Sequence, residues 1–306
     1  GDLRAVGSKP LRGCAVGEAS SGRSYVLSTN PSRPSWEPVV GDLIGRYQIR
    51  SILGRGGTSV VYRAHQASTD RTVALKVLRG EFRLDQTYRA RLEREGAALQ
   101  RLEHPNLLGF IESGEHEAYL YVAMEYVAGI SLRQLLHMRG PLPVEEGLQL
   151  YREVLRGLHF AHSHGVLHRD LKPENVLIAE KGEVKLSDFG CAKGPGLANV
   201  TAEGVVLGTP TYMAPEHFQG QHTPLSDQYS AAVLLFEMLC GRAPFLESEP
   251  VALAMAHVGK KPPVPRSLRE DLADSVSDAI LKGLAKVPQQ RHVDLPAMAE
   301  ALGIPM

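Results

Sequence analysis

Cysteine is scarce in this chain of 306 residues, with three in all: Cys14, Cys191 and Cys240. They are far apart and odd in number, which argues against a disulfide framework, and no C-x-x-C pair offers zinc-binding spacing. Reduced thiols in a cytoplasmic protein are the expectation. Excess charge is also lacking. Lysine plus arginine equal aspartate plus glutamate at 34 each, so composition gives no case for nucleic acid or an anionic membrane as the main partner. Long apolar runs are missing as well. The best candidate, 231–240, is too short to cross a bilayer and carries Glu237, so it reads as a buried helix. The N-terminus has no apolar core of a signal peptide.

What is present falls into three stretches. Residues 1–45 form the expected flexible extension, because 1–40 are rich in Gly, Ser, Pro and Arg without periodicity. The single tryptophan, Trp36, lies there and suggests that the end of the extension docks on the folded part. Residues 46–127 read as a small β-rich lobe. Strands are expected at 47–53, 60–64, 72–78, 107–111 and 119–126, separated by turn residues. One helix interrupts them at about 85–102, where Leu92, Leu99 and Leu102 recur at helical spacing. Residues 128–303 read as a larger, mainly helical lobe. One helix starts near Pro143, and 227–239 is so apolar that it predicts a helix buried on every side. The segment 193–215 is long and irregular, as functional loops often are. A cleft between two lobes is a natural ligand site.

Several segments carry chemistry. Gly54-Arg55-Gly56-Gly57-Thr58-Ser59-Val60-Val61 lies between two expected strands, a context that argues against a dinucleotide-binding fold, which needs a helix next. Glycines in such a turn let backbone N–H groups approach phosphates, although most glycine-rich hairpins are only turns. Lys76 ends the apolar run Val73-Ala74-Leu75-Lys76 and is matched by Glu95, which falls on the inward face of the 85–102 helix. A carboxylate there needs a cation, and Lys76 is the natural one. The segment His168-Arg169-Asp170-Leu171-Lys172-Pro173-Glu174-Asn175 is followed by Asp188-Phe189-Gly190. Asn175 and Asp188 are hard oxygen ligands suited to Mg2+. Asp170, close in sequence to that pair, is able to orient a hydroxyl and accept its proton.

In this order and spacing, together with Ala214-Pro215-Glu216, these segments resemble the eukaryotic-like serine/threonine protein kinases of the bacterial, Hanks-type branch. The resemblance runs from about residue 46 to the C-terminal region. It implies an α+β, bilobal protein-kinase fold, with a small antiparallel β-rich N-lobe holding one key helix and a mainly α-helical C-lobe. It implies transfer of the ATP γ-phosphate to protein Ser or Thr hydroxyls, with Mg2+, or Mn2+ in its place. By that resemblance Leu53, Gly54, Gly56, Val61, Ala74, Glu125, Val127 and Leu177 contact ATP, and Met124 lies at the back of the pocket. Lys76 holds the α- and β-phosphates and is locked by Glu95. Asn175 and Asp188 bind the metal, Asp170 is the base and Lys172 steadies the transferred phosphate. Lys172, with Gly208-Thr209, points to the serine/threonine branch. Arg169 implies a phosphorylated activation loop, with Thr201 first and then Thr209 or Thr211 as sites. Glu203 stands as a permanent negative charge where relatives often carry another threonine. Protein substrates, and self-association for autophosphorylation, are the implied partners. Asp227 resembles the buried anchor of the catalytic loop, and Arg291 the partner of Glu216.

One position departs from the pattern. Ser59 stands where a third glycine is usual, and if that position needs a positive φ it costs roughly 1–2 kcal/mol and weakens closure over ATP. His159, His162, His164 and His168 invite a zinc reading, but solvated or core histidines are the simpler expectation. The rival functions are a pseudokinase-type ATP-binding scaffold and a small-molecule kinase. The first normally lacks Lys76, Asp170, Asn175 or Asp188, and all are present. The second fits poorly with Ala214-Pro215-Glu216.

Overall fold

The computed structural model describes residues 37–57, 59–78, 96, 100, 102–117, 119–189 and 210–306. The expected helix at 85–102, with Glu95, lies outside these residues apart from Gly96, Gln100 and Leu102. So do Trp36, Thr58, Gly190, Cys14, Cys191 and the activation-loop positions Thr201, Glu203 and Thr209.

Alternating apolar residues in the first part build one antiparallel sheet. Its strands are β1 (Leu43–Ile44), β2 (Tyr47–Arg55), β3 (Ser59–Gln66), β4 (Arg71–Leu78), β5 (Phe110–His116) and β6 (Tyr119–Glu125), in the order β1-β2-β3-β4-β6-β5. Ile44, Tyr47, Ile49, Tyr62, Val73 and Leu75 are fully buried on it. Residues 37–45, expected in the extension, carry β1 and hydrogen bonds to β2.

The expected strand at 107–111 is displaced to Phe110–His116. The reason is that Leu107 and Leu108 serve another layer. Leu107 is buried in the large helical core and the Leu108 N–H donates to the Leu186 carbonyl at 2.9 Å. The strand itself is half polar, so its apolar content did not mark it.

A small three-stranded sheet joins the two parts: β7 (Gly129–Ser131), β8 (Val176–Ala179) and β9 (Val184–Leu186). Gly129 is required there, since a Cβ would sit 2.0 Å from the Ile178 carbonyl oxygen. The helices are α1 (Leu132–Arg139), α2 (Val144–Ser163), α3 (Pro224–Cys240), α4 (Pro250–Gly259), α5 (Asp274–Gly283) and α6 (Leu295–Ala301). A Ser131–Gln134 capping box starts α1. Pro224 at the first helical turn and Gly241 in the left-handed region bound α3. Every residue of α3 from Ser226 to Leu239 is buried, as its largely apolar sequence predicts, and the polar Ser226, Asp227, Gln228, Ser230 and Glu237 are buried with it. No helix among the described residues is long and apolar enough to cross a membrane.

Helix α2 meets β9 through Gly157. A Cβ there would lie 2.8 Å from the Asn106 carbonyl oxygen and 3.1 Å from Leu186 Cδ1. Asn106 cannot retreat easily: its carbonyl accepts from Leu186 N–H at 2.9 Å and its side chain donates to the Val184 carbonyl at 3.0 Å. Gly157→Ala is therefore expected to destabilise the protein by about 1–3 kcal/mol in urea unfolding, despite alanine's better helix propensity. An unchanged or higher midpoint would contradict this packing.

Candidate active site

The cleft between the six-stranded sheet and the helical part has a volume of about 590 Å³. The β2–β3 hairpin roofs it, its turn closed by Gly56 N–H donating to the Ser59 carbonyl at 2.8 Å. Leu53, Gly54, Gly56, Val61 and Ala74 line the cleft from that side. Met124, Glu125 and Val127 line it where the chain crosses between the parts, and Leu177, Asn175 and Asp188 line it opposite. The Glu125 carboxylate is turned elsewhere. It accepts from Gly109 N–H at 3.1 Å and pairs with Lys185 at 3.0 Å.

Ser59 opens β3 without strain. The non-glycine residues with positive φ among those described are Asp70, Glu117, Arg169 and Asp188, so the cost expected at Ser59 is not incurred. Asp188 (φ 52°) and Arg169 (φ 63°) instead carry it, at the cleft and in the loop beside it.

Lys76 reaches Asp188, Nζ to Oδ1 at 2.5 Å. Its expected pairing with Glu95 lies outside the described residues. Lys172 Nζ donates to Asp170 Oδ2 at 2.9 Å. The Asn175 amide nitrogen donates to the Asp170 carbonyl at 2.8 Å. That orientation leaves the Asn175 side-chain oxygen as the atom for a cation, near Asp188 on the same cleft wall. One neutral and one anionic oxygen ligand beside a phosphate-sized space suit a hard divalent ion.

The loop holding these groups is fixed from below by Asp227 on α3. Its carboxylate accepts from the backbone N–H of His168 at 2.7 Å and of Arg169 at 2.8 Å. His162 Nε2 is a third partner at 2.8 Å. Burial alone would raise the Asp227 carboxyl, but the His162 hydrogen bond and the charges of His162 and His168 hold it below its ordinary value. Burial likewise lowers His168, opposed in part by Asp227, Asp170 and Asp188. His162 and His168 thus both border Asp227, whereas His164 packs on Phe160 with centroids 4.3 Å apart. His162 as a partner of Asp227 was not foreseen, since helix spacing alone does not say what a histidine meets.

A second junction was also not legible. Arg133, on the first turn of α1, donates to Glu174 at 2.8 Å, Glu237 at 2.7 Å and the Tyr212 hydroxyl at 2.6 Å. It ties the loop, α3 and the segment before Ala214 together. Arg169 Nε is buried without a hydrogen-bond partner among the described residues.

Arg291 and Glu216 pair in two parallel bonds, at 2.7 and 2.8 Å. The same guanidinium donates to the carbonyls of Leu225 at 2.7 Å and Ala285 at 2.9 Å. Burial works against the Glu216 carboxylate, but the Arg291 hydrogen bonds and charge outweigh it and hold Glu216 below its ordinary value. A depressed folded-state value contributes stability that is complete above the unfolded value and is lost as pH falls through the folded one. Arg291→Ala strands the buried carboxylate and is expected to cost about 3–5 kcal/mol in denaturant unfolding at pH 7. Glu216→Gln should flatten the acid limb of stability against pH below the ordinary glutamate range. Equal acid slopes in wild type and variant would contradict the pair's contribution.

The protein kinase domain family profile matches residues 47–301. The serine/threonine-protein kinase pkn3 of Myxococcus xanthus is 39% identical over 284 residues, 88% of this chain and 51% of that protein. The crystal structure of the Mycobacterium tuberculosis PknI kinase domain is similar with a TM-score of 0.70 and 29% identity, covering 87% of this chain and 98% of that one. Rad53 1-466 in complex with AMP-PNP is similar with a TM-score of 0.70 and 27% identity, covering 85% and 64%. The chain spans 37–41% of the length of the first curated relatives it matches. With the bilobal fold and the cleft residues in place, this chain belongs to the protein kinase domain family, in its bacterial Hanks-type serine/threonine branch.

Proposed function

We propose that this domain transfers the γ-phosphoryl group of ATP to serine or threonine hydroxyls of proteins. The observation that carries the reading is the convergence of two charge clusters, Lys76–Asp188 and Asp170–Lys172–Asn175, on one cleft under a glycine-rich hairpin. That the similar Rad53 1-466 is in complex with AMP-PNP supports a nucleotide as ligand.

Phosphoryl transfer asks little covalent chemistry of the protein and much alignment and charge neutralisation. Leu53, Val61, Ala74 and Leu177 would enclose the adenine, with the backbone of Glu125 and Val127 at its edge. Gly54 and Gly56 let the hairpin backbone approach the phosphates. Lys76, held through Glu95 in this reading, pairs with the α- and β-phosphates. Asn175 and Asp188 would hold a divalent ion, Mg2+ or Mn2+. Bound there, the ion neutralises developing phosphate charge. Asp170 orients the substrate hydroxyl and takes its proton as the new P–O bond forms and ADP leaves. Lys172 faces the transferred group. The lobes divide at 46–127 and 128–303, after the extension 1–45, of which 37–45 are anchored on the sheet.

The domain's own activation loop is a further substrate in this reading, with Thr201 and then Thr209 as acceptors, phosphorylated within a transient self-associated pair. The buried Arg169 Nε, without a partner among the described residues, suits an incoming phosphate. In this reading the domain acts in the cytoplasm, where ATP is available. Protein substrates are the partners.

Purified protein incubated with Mg2+ and γ-labelled ATP, with and without a generic protein substrate, should yield phosphoserine or phosphothreonine. Mass spectrometry should find label on the chain between 188 and 216. Lys76→Met and Asp170→Asn should each lower transfer by a factor of about 100 or more. ATP binding without any transfer by the wild type would favour the scaffold reading instead.

A further inference from the structure

The hairpin that roofs the cleft has little core of its own: residues 52–57 are all exposed. Its pairing is irregular, with register shifts between Ile49 and Ser51 and between Ile52 and Gly54. Burial therefore does not fix the glycine-rich end, and an anchor outside the sheet has leverage on it.

Such an anchor comes from the segment before β1. Gly41 N–H donates to the Ile49 carbonyl and Ile49 N–H to the Asp42 carbonyl, both at 2.9 Å. The hydroxyl of the buried Tyr62 donates to the Pro38 carbonyl at 3.3 Å. The segment is thereby fixed to β2 and β3. At its start stands Glu37, whose side chain is only 7% exposed. A carboxylate buried that far requires a cation. Arg55, the last residue of β2, supplies one by an ion pair to Glu37 while lining the cleft beside Gly54 and Gly56. The guanidinium is 53% exposed, so the pair is buried on the carboxylate side only.

We propose that Glu37 is a positioning residue for nucleotide binding: by holding Arg55, it fixes the hairpin end over the phosphate side of the cleft. The segment before β1 thus sets the affinity for ATP through Arg55, although residues 37–42 do not themselves line the cleft. This rests on the nucleotide reading of the cleft given above.

The test measures binding of Mg–ATP and of adenosine to the full chain by calorimetry, for wild type, Glu37→Gln, Arg55→Gln and the double variant. Glu37→Gln should weaken ATP about two- to fivefold and leave adenosine unchanged, because adenosine has no phosphates to be covered. The KM for ATP should rise by the same factor with kcat little changed. In the Arg55→Gln background, Glu37→Gln should add nothing. Unchanged ATP affinity, an equal loss of ATP and adenosine, or a full Glu37→Gln effect in the Arg55→Gln background would each overturn the inference. A wild type that binds no ATP would instead overturn the nucleotide reading itself.

Discussion

A single buried carboxylate, Asp227 on α3, holds the loop on which the cleft chemistry depends. A charge at that depth is costly unless its acceptor sites are filled, and here two backbone N–H groups and His162 fill them. The N–H groups belong to His168 and Arg169, immediately before Asp170. The anchor therefore acts on backbone and sets direction rather than contributing chemistry. It also accounts for the tolerated left-handed conformation of Arg169, since surrounding bonds determine it.

The same rule governs the other buried charges. Arg291 and Glu216 satisfy each other in a bidentate pair, and the remaining guanidinium hydrogens go to carbonyls. Arg133 gathers Glu174, Glu237 and Tyr212 on one cation. Each junction joins segments distant in sequence, and each lies where the loops around the cleft would otherwise be free to drift. The helices supply apolar bulk, and α3 is the post to which the loops are tied. Stability and catalysis are thus coupled through a few ionic contacts, while the cleft itself stays open for a substrate.

Much of this was legible in the sequence. Short runs rich in apolar, β-branched and aromatic residues located β2, β3, β4 and β6, and β4 and β6 bury residues on both faces of the sheet. The uniform apolarity of 227–239 identified the central helix. The motif residues Asp170, Asn175, Asp188, Asp227, Glu216 and Arg291 could be named because their order and spacing are distinctive; Asn175 and Asp188 line the cleft, while Lys76 and Asp170 stand behind its lining, bonded to Asp188 and Lys172. β5 was displaced because its polar half hides the strand while Leu107 serves another core. Arg133, His162 and Glu37 were missed for a common reason. Each acts through a polar side-chain contact, and no local pattern distinguishes a glutamate, histidine or arginine that will meet a partner 18, 65 or 104 positions away from one that meets water. Whether Ser59 carries a cost could not be read from the sequence, because only the backbone conformation reveals whether a glycine is needed.

The most direct test of the account is the rate of γ-phosphoryl transfer by Asp227→Asn, measured on the folded fraction at saturating ATP and peptide, beside its affinity for ATP. If Asp227 serves to direct the loop, ATP affinity should stay within a few-fold of wild type while transfer falls about 100-fold or more, the scale of loss expected from misplacing a reacting group by an ångström. A folded variant that transfers phosphate at the wild-type rate would contradict the claim that this buried carboxylate organises the site.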